Sequence, residues 1–197
     1  MKIYISADIE GTTGITHWDE TLKSKSDYAD FQKQMTAEVV AACEGAIEAG
    51  ATEILVRDAH DTGRNILASR LPEEVKILRE WSGHPFCMVQ GIDESYDAAV
   101  FTGYHSRAGS DTNPLAHTLT GSSMHIKIND RFASEFLINS YAAASVGVPV
   151  VMITGDKGIC DEARDVNRNM HTVAVSEGVG TSNISIHPNL AVKMIKG

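Results

Sequence analysis

Hydrophobic positions along this chain alternate between short β-branched runs and longer stretches with helical spacing. Lys2–Ala7 is a compact apolar run that predicts a first strand. A Gly/Thr loop, Gly11 to Gly14, follows it. Tyr28 to Ala49 predicts a helix, because Val39, Val40, Cys43, Ala46 and Ile47 recur on one face and Gly50 supplies a stop. Glu53–Arg57 predicts a second strand, Val75–Leu78 a short one near an edge, and Ala98–Thr102 a third. His125–Ile128 reads as another short strand, Phe132 to Val146 as a helix, and Pro149–Thr154 as a buried strand. Asp156 to Val166 is helical with Asp156 as its cap, and Thr172–Val175 is a last short strand. Asn189 to Lys196 looks like the first turns of a helix that stops before completing a core-facing stripe, which predicts a C-terminal extension beyond Gly197. Strands alternating with helices predict an α/β fold: a three-layer sandwich with a largely parallel central sheet covered by helices. No repeat, low-complexity tract or linker interrupts residues 1–197, so one domain is expected.

Composition narrows the function classes. A hydrophobic fraction of 43% with 22% charged residues supports an ordinary globular core. Seventeen Lys+Arg stand against 26 Asp+Glu, a formal net charge of −9, and no basic patch stands out. That balance argues against a nucleic-acid or anionic-membrane partner, because no basic patch is there to neutralise phosphates. The longest mostly apolar stretch, Tyr141 to Thr154, is broken by Ser145, Gly147 and Pro149 and is too short to span a bilayer. The apolar run at the N-terminus meets Asp8 too early for a signal peptide. Cys43, Cys87 and Cys160 are odd in number and far apart, with no C-x-x-C, which fits a reducing cytoplasm rather than a disulfide framework or a thiolate zinc site.

Ligands of open α/β sheets bind beyond the carboxyl ends of the strands. Just past the predicted strands come Asp8-Ile9-Glu10-Gly11, Asp58-Ala59-His60-Asp61, Gly103-Tyr104-His105 and Gly155-Asp156. Carboxylates alone would favour magnesium; two added imidazoles favour zinc or a similar transition metal. Asp8 and Glu10 lie two apart, so both can face one side. A carboxylate between two cations can bridge them at roughly 3.5–4 Å, as two-metal hydrolases require. Taken singly, each residue also has a plain structural reading: Asp8 and Asp58 as turn caps, Gly103 and Gly155 as tight-turn glycines, Glu135 as a first-turn helix carboxylate, His117 as a loop residue. His17, His84, His125, His171 and His187 have no comparable placement and are read as structural or surface residues. Asp58 can orient the His60 imidazole or stabilise its own turn, and Asn129-Asp130 can shape the site or simply make a tight turn.

Two enzyme readings compete for these residues. Asp8-Ile9-Glu10-Gly11-Thr12 resembles the nucleophile motif of haloacid-dehalogenase-like phosphatases, with Lys127 downstream and Gly155-Asp156…Asp161 similar to that family's magnesium motif. There Asp8 would be the phosphorylated nucleophile and Glu10 the acid/base. The second carboxylate is Glu where that motif has Asp, and His60, His105 and His117 have no task.

Ser6-Ala7-Asp8-Ile9-Glu10-Gly11 is similar to the Ser-x-Asp-x-Glu-Gly signature of the zinc-dependent D-aminopeptidases associated with dipeptide transport. The resemblance continues through Val56-Arg57-Asp58-Ala59-His60, Phe101 to Ala108, the loop bearing His117, and Ile128-Asn129-Asp130-Arg131…Glu135…Asn139. It implies zinc ligands at Asp8, Glu10, His60, His105 and Glu135, with Asp8 bridging two Zn²⁺ per subunit, and a catalytic His117. It further implies short peptides with a free N-terminus as substrates, and ring-shaped, self-compartmentalising homo-oligomers, decamers by resemblance. Family members usually continue well past the position of Gly197. A non-catalytic relative that keeps the zinc site for structure remains a third reading, because catalytic zinc needs an open coordination position.

Overall fold

The computed structural model describes residues 1–197. Nine strands and four α-helices follow one another as β1 (Lys2–Ala7), α1 (Tyr28–Glu48), β2 (Glu53–Asp58), β3 (Val75–Leu78), β4 (Ala98–Tyr104), β5 (Lys127–Ile128), β6 (Arg131–Phe132), α2 (Glu135–Ser145), β7 (Val150–Asp156), α3 (Lys157–Val166), β8 (His171–Val179), β9 (Ser182–Ser185) and α4 (Pro188–Lys196). Seven strands form one sheet in the order β3-β2-β1-β4-β7-β8-β9. All neighbours run parallel except β8 and β9.

Alternation along the strands sorts the side chains into two cores. Ile3, Ile5 and Ala7 of β1 join Ile54, Val56 and Val100 beneath α1 and α4. Tyr4 of β1 joins Ala99, Phe101 and Ile153 beneath α2 and α3. Helices therefore cover both faces, and the expected three-layer α/β sandwich is present. The chain lays β2 and β3 on one side of β1, then crosses to build β4, β7 and β8 on the other. That reversal opens a crevice at the carboxyl ends of β1 and β4, where doubly wound sheets bind their ligands.

Several local expectations are corrected. The predicted His125–Ile128 strand is only Lys127–Ile128, paired with Arg131–Phe132 outside the main sheet. Asn129 and Asp130 form its two-residue turn with positive φ of 50° and 62°, so they are turn residues. The helix expected from Phe132 begins at Glu135, because Ser134 caps it by accepting from the Leu137 N–H at 3.1 Å. The short last strand is nine residues long and leads into β9, which the sequence reading lacked. α4 does carry a core-facing stripe: Ala191 and Ile195 are buried against α1, where Gly45 admits the Lys196 carbonyl.

Candidate metal centre

Close backbone approach builds the crevice. The Gly11 N–H donates to the Gly103 carbonyl at 2.8 Å, and the Asp8 N–H to the Thr102 carbonyl at 2.8 Å. A Cβ at Gly11 would stand 1.7 Å from the Tyr104 carbonyl oxygen, and one at Gly103, where φ is +66°, 2.3 Å from that of Asp8. Only glycine allows the end of β1 to press against the end of β4. This contact carries Asp8 and Glu10 to His105.

His60 enters from the loop after β2, and Asp58 shapes that loop. The Asp58 carboxylate accepts from the Asn65 and Ile66 N–H groups at 2.6 and 2.8 Å and from Asn65 Nδ2 at 2.8 Å; the same Nδ2 donates to the His60 carbonyl at 2.6 Å. Of its two sequence readings, the structure selects the turn. Glu135 arrives from the first turn of α2, and its Oε1 accepts from the Leu119 N–H at 2.7 Å. His117, in the loop before Leu119, stacks on His105 with ring centroids 4.3 Å apart and has the edge of Trp18 beside it at 5.2 Å.

All five expected metal ligands converge. Asp8, Glu10, His60, His105 and Glu135 are buried, and His117 is half-buried at the mouth. Asp8 lies between two histidines: Oδ1 is 3.4 Å from His60 Nδ1, and Oδ2 is 3.5 Å from His105 Nε2. Glu10 Oε2 is 3.1 Å from His60 Nδ1, and Glu135 Oε2 is 3.4 Å from His105 Nε2. His117 Nε2 is 3.5 Å from Glu135 Oε1.

Backbone carbonyls set the tautomers. His60 Nε2 lies 3.0 Å from the Thr21 oxygen, His105 Nδ1 3.0 Å from that of Ser106, and His117 Nδ1 2.9 Å from that of Leu115. Each carbonyl takes an N–H, which leaves the other nitrogen as a lone pair facing carboxylate oxygens. Lone pair facing lone pair is repulsive unless a proton or a metal cation lies between. Asp8 Oδ2, Glu10 Oε2 and His105 Nε2 are buried with no hydrogen-bond partner. Around a tetrahedral zinc with bonds of about 2.0–2.1 Å, adjacent ligand atoms lie about 3.3–3.4 Å apart, which matches these spacings. The donor set fits zinc.

Electrostatics point the same way. Burial and the neighbouring Glu10 carboxylate push Asp8 well above the usual carboxylate range. Burial opposes the ionised form of Glu10, but His60 outweighs it and holds Glu10 low; His105 does the same for Glu135. Burial works against a charged His60 and a charged His105, yet Glu10 and Glu135 respectively raise both imidazoles well above their ordinary values. The cluster holds positive charge tightly and retains protons where no metal takes their place.

The remaining sequence candidates lie elsewhere. His17 and His187 cap helical turns, accepting from the Asp19 and Asn189 N–H groups. His84 accepts from the Phe86 N–H, His125 lies edge-on to Phe132, and His171 begins β8. Asp156, cast as a magnesium ligand in the phosphatase reading, caps α3 and accepts from Ser106, Asn113 and Ile159. Its oxygens are committed to structure, and Lys127 sits in the β5–β6 hairpin. Ser6, Tyr104 and Asn139 had no role assigned from sequence. They form a chain under the site: Asn139 Nδ2 donates to Tyr104 Oη at 3.1 Å, Tyr104 and Ser6 hydroxyls meet at 2.7 Å, and Ser6 donates to the Met88 carbonyl at 2.8 Å. Ser6 lies in the signature and Asn139 one turn after Glu135, but their partnership required the fold.

A model of the M55 peptidase family, described as D-aminopeptidase, matches residues 1–197. The chain belongs to this family. The D-aminopeptidase of Bacillus subtilis (strain 168) is 35% identical to it over 188 residues, covering 93% of this chain and 66% of that protein. This M55 chain thus spans about two thirds of that curated relative's length. Among solved structures, it matches the Zn-dependent D-aminopeptidase DppA from Bacillus subtilis, a self-compartmentalizing protease, with a TM-score of 0.94 and 30% identity, over 100% of this chain and 71% of that one. The phosphatase reading finds no support in these matches.

Proposed function

We propose that this M55 chain is a zinc-dependent aminopeptidase that releases the N-terminal residue, of D configuration, from short peptides through a dinuclear site. One observation carries the reading: Asp8 presents one oxygen to the His60–Glu10 side and the other to the His105–Glu135 side. Each side then has three protein donors, and three donors leave a coordination position open for catalysis. Three buried carboxylates also carry three negative charges, more than a single divalent ion offsets. Asp8, Glu10 and His60 would hold one zinc, and Asp8, His105 and Glu135 the other. Bound there, zinc supplies Lewis acidity that polarises the scissile carbonyl and acidifies water.

The chain's own groups do the rest. With both ions in place the charges of Glu10, Glu135 and Asp8 would be more than offset, so the substrate's amino end would enter the crevice as the neutral amine. His117 stands at the mouth with Nδ1–H committed to Leu115, so Nε2 is its one working atom. We assign to Nε2 a proton shuttle: it takes a proton from the attacking water as the C–O bond forms and passes that proton to the departing amine as the C–N bond breaks. Trp18 and the His105 ring hold the imidazole in place from two sides.

The relatives' names supply D-selectivity, and DppA's self-compartmentalization supports a homo-oligomer; the ring-shaped decamer is proposed from the motif resemblance alone. Unpaired cysteines support work in the cytoplasm. No helix is long and apolar enough to cross a membrane. The test is incubation with a D-alanyl peptide, its L-alanyl counterpart and p-nitrophenyl phosphate, with Zn²⁺ or Mg²⁺. Zinc-dependent release of D-alanine is expected. No turnover by protein carrying two zinc ions per chain would overturn the enzyme reading in favour of a structural metal site.

A further inference from the structure

Arg57 is the largest side chain that the fold buries completely. It lies near the end of β2, flanked in register by Ser6 of β1 and Leu78 of β3. Its Nη1 donates to the carbonyls of Leu78 and Glu80. Nε and Nη2 have no partner at all. Asp58, the adjacent carboxylate, spends its oxygens on Asn65 and Ile66. A buried guanidinium with two idle N–H groups and no counter-ion is costly, and such a group calls for an explanation.

The idle pair has a specific shape. Nε–H and Nη2–H point in parallel from one edge of the guanidinium and match the two oxygens of a carboxylate. Trp81 roofs this group, its ring centroid 4.1 Å from Cζ. Trp81 also lines the crevice beside Asp8, Glu10, His60 and Cys87, in a cavity of about 390 Å³. It is 37% exposed and held by one side-chain hydrogen bond, from Nε1 to the Asp61 carbonyl. Trp81 therefore touches both Arg57 and the crevice, and a carboxylate reaches Arg57 from the crevice only where this side chain turns aside. Only two residues separate Arg57 from His60, so their Cα atoms are at most about 10 Å apart, the extended length of a di- or tripeptide.

We propose that Arg57 is the carboxylate receptor of this crevice: it binds the C-terminal carboxylate of a di- or tripeptide whose amino end lies at the Asp8–His60–His105 cluster. The inference rests on the aminopeptidase reading and narrows it, because a receptor this near the cluster leaves no room for a long chain.

The test compares D-alanyl-D-alanine with its C-terminal amide on the zinc-loaded protein. The free acid should have a KM lower by about tenfold or more, the scale of a charge-assisted bidentate pair. Arg57→Gln should erase that preference, and Arg57→Lys should restore part of it. Equal KM values for acid and amide, or a preference that survives in Arg57→Gln, would overturn the proposal. A binding readout covers the case in which Arg57→Gln misfolds. Trp18 and Trp81 are the two tryptophans of the chain, so Trp18→Phe leaves Trp81 as the sole indole emitter. N-acetyl-D-alanine should shift its emission and N-acetyl-D-alanine amide should not; no shift with the acid sinks the receptor. If the acid shifts the emission while neither peptide is cleaved, the receptor stands and the peptidase reading falls.

Discussion

His117 and Asp8 are the residues whose replacement separates chemistry from metal binding. His117 lies with His105 and Glu135 in a group that could hold a cation, but the proposed donor sets leave it free for proton transfer; on that proposal His117→Ala should keep two zinc ions per chain, by elemental analysis, while kcat falls by about 100-fold or more. Wild-type turnover in that variant would remove the imidazole from the reaction. Asp8 faces both histidines, so Asp8→Ala should lose zinc and activity together; retention of two ions would show that it does not bridge. At this scale the sequence exposed residue types but not their partners. Asp8, Glu10, His60 and His105 stand out because they follow apolar runs. Glu135 and His117 do not: a carboxylate at a helix start and a histidine in a loop are ordinary, and motif resemblance alone singled them out. Arg57 carries no signal of its own in the sequence, since nothing in one dimension shows that its outer edge goes unpaired.

Among the elements, α2 matters most to the site because its first residue is Glu135. Ser134 fixes that start: it accepts from the Leu137 N–H and donates to Glu162 Oε1 at 2.8 Å. Ser134→Ala should lower stability by about 1 kcal/mol, read from a denaturant midpoint. It should also weaken zinc binding, because fraying of this turn displaces Glu135 from His105. An unchanged zinc affinity would mean that the loop contact from Leu119 holds Glu135 by itself. The main strands were legible because parallel strands buried on both faces read as continuous β-branched runs. The hairpin at Lys127–Phe132 was legible only in part: a strand ending at Ile128 and a tight turn at Asn129-Asp130 are readable, but the bounds and the returning strand are not, because two-residue strands carry no period. α4 was misread for a related reason. Its stripe needs only Ala191 and Ile195, since Gly45 lets α1 approach closely.

For the whole molecule, the buried charges couple folding to metal and to pH. In metal-free protein His60 and His105 have raised pKa values, so their contribution to stability is full below about pH 6.5, the unfolded value, and is lost as the pH climbs through their folded values. Asp8, also raised, acts in the same direction. Metal-free protein should therefore melt at falling temperature as the pH rises above about 6.5, whereas zinc-loaded protein should not. Zinc binding should release protons, visible in calorimetry as a heat that depends on the buffer's ionisation enthalpy. A pH-independent melting temperature without metal would contradict the raised imidazoles. The sequence by itself determined the α/β class, the helices on both faces and the short list of strand-end carboxylates and imidazoles, because these follow from local periodicity and from what can terminate a strand. Only the tertiary structure decided that Asp8 divides its oxygens between two histidines, that carbonyls fix the three tautomers, and that Arg57 keeps a free edge beneath Trp81. Those are relations between segments tens of residues apart, and they come into being only when the strand order reverses between β1 and β4 and glycines let the two ends meet.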